Sequence, residues 1–256
     1  MNILRGQTVP FVDDVLMSAM KMHSTSTLDL KAWYKRITVI EIKNLTKTFG
    51  NTHSLDDVSI NFDTNESIAL MGANGAGKTT LIRSILGYYH PTSGSVAING
   101  IDPIKERTKV LQDISFVPQL PPPIKLSLEE LMHYISVSAH VDKELIRHYA
   151  NEMKLDLKAN LSKSFFKLSG GMKQKMLIAI SLAKESNIII YDEPTANLDP
   201  KARDDFYRLL KQNEQEKVLL FVTHRLEEVK ELVNRQVYMD MGKVVSDEKI
   251  QRGHHE

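Results

Sequence analysis

The sequence predicts an α/β fold with a largely parallel sheet, and three observations carry that prediction. Apolar runs such as Asn187-Ile188-Ile189-Ile190-Tyr191 and Val218-Leu219-Leu220-Phe221-Val222 read as strands buried on both faces. Segments of helical periodicity alternate with these runs. A glycine-rich stretch, Gly72-Ala73-Asn74-Gly75-Ala76-Gly77-Lys78-Thr79-Thr80, stands between a short apolar strand at Ile68-Ala69-Leu70-Met71 and a helix at Thr80–Leu86.

Taken in order, the elements begin after an extension, residues 1–37, predicted as helical or disordered. Val12–Met22 has helical spacing, Ser24-Thr25-Ser26-Thr27 breaks it, and Leu28–Arg36 has room for a further turn or two. The pattern changes at Thr38, where a second unit, residues 38–256, is predicted to begin. Val39–Ile42 and Val58–Phe62 read as strands. Pro91-Thr92-Ser93-Gly94 is a turn before the strand Ser95–Ile98, and Ile114–Val117 is another short strand. Pro121-Pro122-Pro123 forbids regular helix. Ser127-Leu128-Glu129-Glu130 is a capping box, and two or three helices follow to about Leu161, a helical insertion at about 120–168. Asp199-Pro200 offers an N-cap and a first-turn proline to the helix after the Asn187–Tyr191 strand.

Composition narrows the function classes. The 256 residues, 42% hydrophobic, suit one or two ordinary domains. A formal net charge of +1 gives no general attraction to nucleic acid, so no nucleic-acid partner is expected. With no cysteine, disulfides and thiolate metal sites are excluded and a reducing compartment fits. No apolar run approaches the roughly 18 residues of a membrane span, and Met1–Gly6 does not open a signal peptide. The expectation is a soluble, cytoplasmic molecule able to dock on a membrane protein.

Gly72–Thr80 fits G-x-x-x-x-G-K-[ST], a phosphate-cradling loop. Glycines allow positive φ and bring backbone N–H groups against phosphate oxygens, and the helix N-terminus adds partial positive charge. Lys78 would reach the β- and γ-phosphates, and the Thr79 hydroxyl would ligate Mg²⁺. Asp192-Glu193 closes an apolar strand, where acidic side chains face the crevice of an open α/β sheet. Asp192 fits a second Mg²⁺ ligand and Glu193 a base for the attacking water; an ordinary acidic strand end is the plainer reading. Ser169-Gly170-Gly171 at a helix N-terminus makes either a second anion site or a simple cap.

Leu168-Ser169-Gly170-Gly171-Met172-Lys173-Gln174 resembles the signature sequence of ATP-binding cassette (ABC) proteins, and it falls in the family's order between the phosphate loop and Asp192-Glu193. From about Thr38 onward the chain is similar to an ABC nucleotide-binding domain. The resemblance implies a P-loop NTPase (RecA-like) core with an antiparallel β subdomain and an inserted α-helical subdomain. It implies that Gln119 contacts Mg²⁺ or water, that His224 is the switch histidine touching the γ-phosphate, that Asp199 belongs to the loop after the acidic pair, and that Phe49 stacks on adenine. It further implies that two copies sandwich ATP and Mg²⁺ head to tail, most simply as a homodimer, with Ser169, Gly170 and Gly171 of one facing the phosphate loop of the other. Such subunits drive a separate integral membrane permease from the inner face of the cell membrane. The short segment after His224 does not suit an importer-style regulatory domain, and Met172-Lys173 resembles exporter-type cassettes, among them those moving a copper or sulfur species for nitrous oxide reductase maturation. Met17, Met20, Met22 and His23 offer soft ligands for Cu(I), or simply an apolar helix face; alternatively translation begins near Val39, where the first strand starts. His254-His255 is too short a pair to argue for metal. The other function class is a soluble ABC ATPase serving translation or iron–sulfur assembly. Tyr191 is bulkier than the family's usual aliphatic residue, and its hydroxyl needs a partner if buried.

Overall fold

The computed structural model describes residues 38–213 and 217–250. Residues 1–37, with Met17, Met20, Met22 and His23, and the pair His254-His255 lie outside them. Two sheets organise the described residues. A three-stranded antiparallel sheet has the order β2-β1-β4, with β1 Thr38–Phe49, β2 Thr52–Asp63 and β4 Ser93–Ile98. A six-stranded sheet runs β5-β6-β7-β3-β8-β9. Here β3 is Ser67–Gly72, β5 Ile114–Val117, β6 Ile188–Asp192, β7 Val218–Val222, β8 Arg235–Asp240 and β9 Lys243–Lys249. The first five strands in that order are parallel, and β9 returns antiparallel along β8.

The continuous apolar runs are explained by burial on two sides. Successive side chains of a strand point to opposite faces. Ile189, Tyr191, Leu219 and Phe221 enter one core with the helices α3 Leu128–Ala139, α4 Lys143–Glu152, α5 Gly170–Ala183 and α6 Pro200–Asn213. Ile188, Ile190, Leu220 and Val222 enter the other, with the antiparallel sheet and the helix α1 Lys78–Ile85. The Ser127 capping box forms as read: Glu130 N donates to Ser127 Oγ at 3.2 Å and Ser127 N donates to Glu130 Oε2 at 2.8 Å.

Three differences from the sequence reading have physical causes. Strands β1 and β2 run well beyond the short alternating stretches, because bulges interrupt the period of two. Asn44 and Asp57 take positive φ there, and Asn44 Nδ2 donates to Asp57 Oδ1 at 2.9 Å. A short helix, α2 Arg107–Gln112, buries only Val110 and so leaves little periodic signal. The chain after His224 folds into the helix α7 Leu226–Val229 and the β8–β9 hairpin. The charge of β9, which suits a sheet edge, hides its strand character.

Tyr191 is fully buried, stacked on Phe221 at 5.4 Å and edge-on to Phe206 at 5.1 Å. Burial pushes its phenol pKa upward, so it stays a neutral donor. The hydroxyl finds its partner in Ser181 Oγ at 3.2 Å, while Ser181 itself donates to Ile178 O at 2.8 Å. Tyr191→Phe should therefore cost only about 0.5–1.5 kcal/mol, read as a lower urea midpoint with unchanged slope; a loss several times larger would mean the hydroxyl supports more than this one bond.

Candidate active site

Strand β3 delivers the chain into the glycine-rich loop, and the loop turns into α1. Gly72, Gly75 and Gly77 have φ of 143°, 84° and 104°. A Cβ on Gly77 would stand 2.6 Å from Ser54 O, so the loop closes on β2 only with glycine there. Gly77 is the N-cap of α1 and supplies no side-chain cap, which leaves the first-turn N–H groups for an anion. Lys78 Nζ lies along the loop, donating to Gly72 O at 2.7 Å and Ala73 O at 2.9 Å. Thr79 is exposed, and Thr80 Oγ1 is 2.7 Å from Ser54 Oγ.

A cleft of about 370 Å³ joins this loop to the ends of the neighbouring strands: Asn74–Thr80, Ser54, Gln119, Asp192, Glu193 and Val222 line it. Within it, Glu193 is held on both oxygens. Gln119 Nε2 donates to Oε2 at 2.9 Å, and His224 Nδ1 lies 3.1 Å from Oε1. Glu193 itself has φ of 46°, and its N–H donates to Val222 O at 2.9 Å. Burial, then the charge of Glu193, raises the pKa of Asp192, with Lys78 and Arg83 opposing. A carboxylate so under-compensated is a good place for a cation, and the hydroxyl of Thr79, the amide of Gln119 and the carboxylate of Asp192 are hard oxygen donors sharing one cleft. The donor set fits Mg²⁺, and the glycine loop fits a polyphosphate.

Other residues singled out in the sequence do not line this cleft. Ser169 is the N-cap of α5, its Oγ accepting from Met172 N at 3.2 Å. Gly171 is needed for closeness rather than for φ: a Cβ there would lie 3.0 Å from Asn197 O, whereas one on Gly170 would meet Asn197 only at an ordinary 3.6 Å. Asp199 caps α6, Oδ1 accepting from Ala202 N at 3.0 Å, and that bond holds its pKa below the usual carboxylate value. Phe49 is 45% exposed at the end of β1, with Tyr89 edge-on at 5.1 Å and Lys47 Nζ 4.9 Å from its ring centre.

Residues 55–196 match the family model described as ABC transporter. The chain belongs to the ABC transporter family. The ATP-binding protein EcfA2 of the energy-coupling factor transporter from Clostridium tetani is 33% identical over 224 residues, which is 81% of this chain and 78% of that protein. The chain is 32% identical to the much longer ABC transporter ced-7 of Caenorhabditis elegans, of which it spans 12%. Among solved structures, a dimeric ATP-binding cassette in a post-hydrolysis state with ADP and Pi superposes with a TM-score of 0.73, at 28% identity, over 83% of this chain and 99% of that one. This chain is thus an ATP-binding cassette with an ABC ATPase fold, and it is an ATPase.

Sequence reasoning missed several neighbours of the cleft in this cassette. Ser54 lacks any motif and is found only through β2. Arg225 and Glu228 stand one helical step apart beside His224, a spacing that an i,i+3 charge search would have flagged. Glu228 is a hub: Thr195 Oγ1 donates to it at 2.7 Å, Arg225 Nη1 at 3.0 Å and Arg203 Nη1 at 3.2 Å. Burial pushes its pKa up, but the hydrogen bonds from Thr195 and Arg225 and the two guanidinium charges outweigh this and leave it lowered. Gly242, at the β8–β9 turn with φ of 80°, donates its N–H to Ala76 O at 3.0 Å and so braces the loop from behind. Gly242→Ala would place a Cβ 3.0 Å from Ser54 O in a backbone region that alanine avoids. We expect weaker ATP binding by about tenfold, near 1.4 kcal/mol, by fluorescence titration of a nucleotide analogue; unchanged affinity would show that the turn does not shape the loop.

Proposed function

We propose that two copies of this ABC ATPase clamp ATP and Mg²⁺ between them and hydrolyse the nucleotide to drive a separate membrane permease. The observation that carries this reading is Glu193, gripped by Gln119 and His224 at the rim of the glycine-loop cleft. Bound nucleotide would supply the phosphoryl group and Mg²⁺ the charge that polarises it, the ion held by Thr79, Asp192 and Gln119. The backbone N–H groups from Gly72 to Thr80 would orient the phosphates. Lys78 would exchange its two carbonyl partners for phosphate oxygens. The carboxylate of Glu193 would take the proton from water at Oε1 or Oε2, and the ring of His224 would keep that carboxylate turned toward the cleft.

The segment Ser169–Gly171 and Asp199 are absent from the lining of the cleft and sit at helix starts with N–H groups on offer. In our reading they complete the site of the second copy, as a dimeric relative with ADP and Pi supports. Phe49 would stack on the adenine.

Among the described residues no helix is long and apolar enough to cross a membrane; the spans in this reading belong to the permease, and the cassette works from its cytoplasmic side. Exposed Leu120, beside Pro121–Pro123, and exposed Tyr134 and Val137 on α3 are the apolar surface we assign to that contact. Export is our choice of direction and rests on Met172-Lys173, since relatives named for export and for import match at 31% and 34% identity. For copper handling, no group of three or more His, Asp or Glu suited to a metal ion exists among the described residues.

Glu193→Gln should retain ATP binding, accumulate a nucleotide-bound dimer in size-exclusion chromatography and lower turnover by a factor of about 10²–10⁴; undiminished hydrolysis would remove Glu193 from the role. Affinity capture from detergent-solubilised membranes should recover a multispan protein. Recovery of ribosomes or a soluble iron–sulfur scaffold instead would replace the transport reading.

A further inference from the structure

The groups behind His224 are more constrained than a ring at a strand end requires. Its Nδ1 faces Glu193 Oε1 at 3.1 Å, and its Nε2 faces Arg225 Nε at 3.3 Å. A guanidinium nitrogen only donates, and a carboxylate only accepts. Nε2 must therefore carry a lone pair and Nδ1 the proton. The opposite tautomer would set two N–H groups against each other on one side and two lone-pair acceptors on the other. The imidazolium form would keep the first of these clashes.

Arg225 is in turn fixed from behind. Its Nη1 donates to Glu228 Oε1 at 3.0 Å, and Glu228 is only 20% exposed and tied to α6 through Arg203 and to the loop after β6 through Thr195. The direction of Arg225 Nε is thus set by a carboxylate that two other segments, α6 and the loop after β6, hold in place.

We propose that Arg225 and Glu228 are positioning residues that impose the Nδ1–H tautomer on His224 and aim it at Glu193. Neither lines the glycine-loop cleft. The pair links Thr195, in the loop after β6, to the ring that steadies the base through a chain of four hydrogen bonds, Thr195–Glu228, Glu228–Arg225, Arg225–His224 and His224–Glu193, so that a displacement around Thr195 is transmitted to the Glu193 carboxylate. This inference rests on the role given to Glu193 above, but its first test does not depend on turnover.

In the ¹⁵N-labelled full-length protein without nucleotide, long-range ¹H–¹⁵N correlation spectra report the tautomer of each histidine, and His224→Ala identifies the signal by its loss. The expected wild-type signature is Nδ1–H with a bare Nε2; Arg225→Ala should convert it to a mixture of tautomers, and Glu228→Gln should do so partially. In steady-state ATPase assays Arg225→Ala should lower kcat by about tenfold or more, because a misaimed group loses its positional advantage, while KM for ATP stays within about twofold because the glycine loop is untouched. An Nε2–H tautomer in the wild type, or an unaltered signature in Arg225→Ala, overturns the proposal. Absence of ATPase activity in the wild type, with the predicted tautomer present, would instead overturn the function proposed for the site and leave the positioning pair standing.

Discussion

The alignment of four parallel strand ends is the constraint on which the rest of this molecule depends. Strands β5, β6, β7 and β3 are neighbours in that order, and their ladders keep Val117 beside Tyr191, Asp192 beside Val222, and Leu70 beside Val222. Each strand therefore releases its chain within about two residues of the same level. Gln119, Asp192-Glu193, His224 and the glycine loop follow these strands, so they meet at one rim although they are far apart in sequence. A one-residue slip in any ladder would move the polar ends and also turn every inward side chain to the opposite layer. Two-sided burial thus protects the chemistry as well as the fold.

The rim carries local strain that the layers below can hold. Glu193 sits in the left-handed region without being glycine or asparagine, a conformation that costs on the order of 1 kcal/mol or more. Its N–H bond to Val222 O and the two side-chain partners keep it there. The turn lets Asp192 and Glu193 project differently: one carboxylate is sunk and short of compensating charge, while the other bridges to Gln119 and His224. Two adjacent acids therefore acquire different environments, as the different tasks proposed for them require.

Much of this was legible in the residues because the signals are local. Ile114–Val117 and Val218–Val222 are strands at the bounds read from sequence, the capping box at Ser127 forms, and the glycine loop lies between strand and helix as its spacing demands. What stayed hidden depends on contacts between distant segments. Strand β9 carries charges suited to an edge and shows little alternation. Ser54 and Gly242 matter only because β2 and the β8–β9 turn pack behind the loop. The Arg225–Glu228 pair gains meaning only from Thr195 and Arg203, which arrive from another part of the chain.

The cap of α5 has a consequence for how evolution can treat Ser169. Capping uses one lone pair of the hydroxyl, to accept from Met172 N, and leaves its single proton unspent. Aspartate would cap the same helix as well as serine does, yet it brings no proton and adds a negative charge. The helix would be as sound as before, while a phosphate approaching from outside would be repelled. If Ser169 has the role proposed for it in the second copy's site, thermal stability and function are separable here at a single atom, and a screen that selects on stability alone would accept a substitution that removes that role.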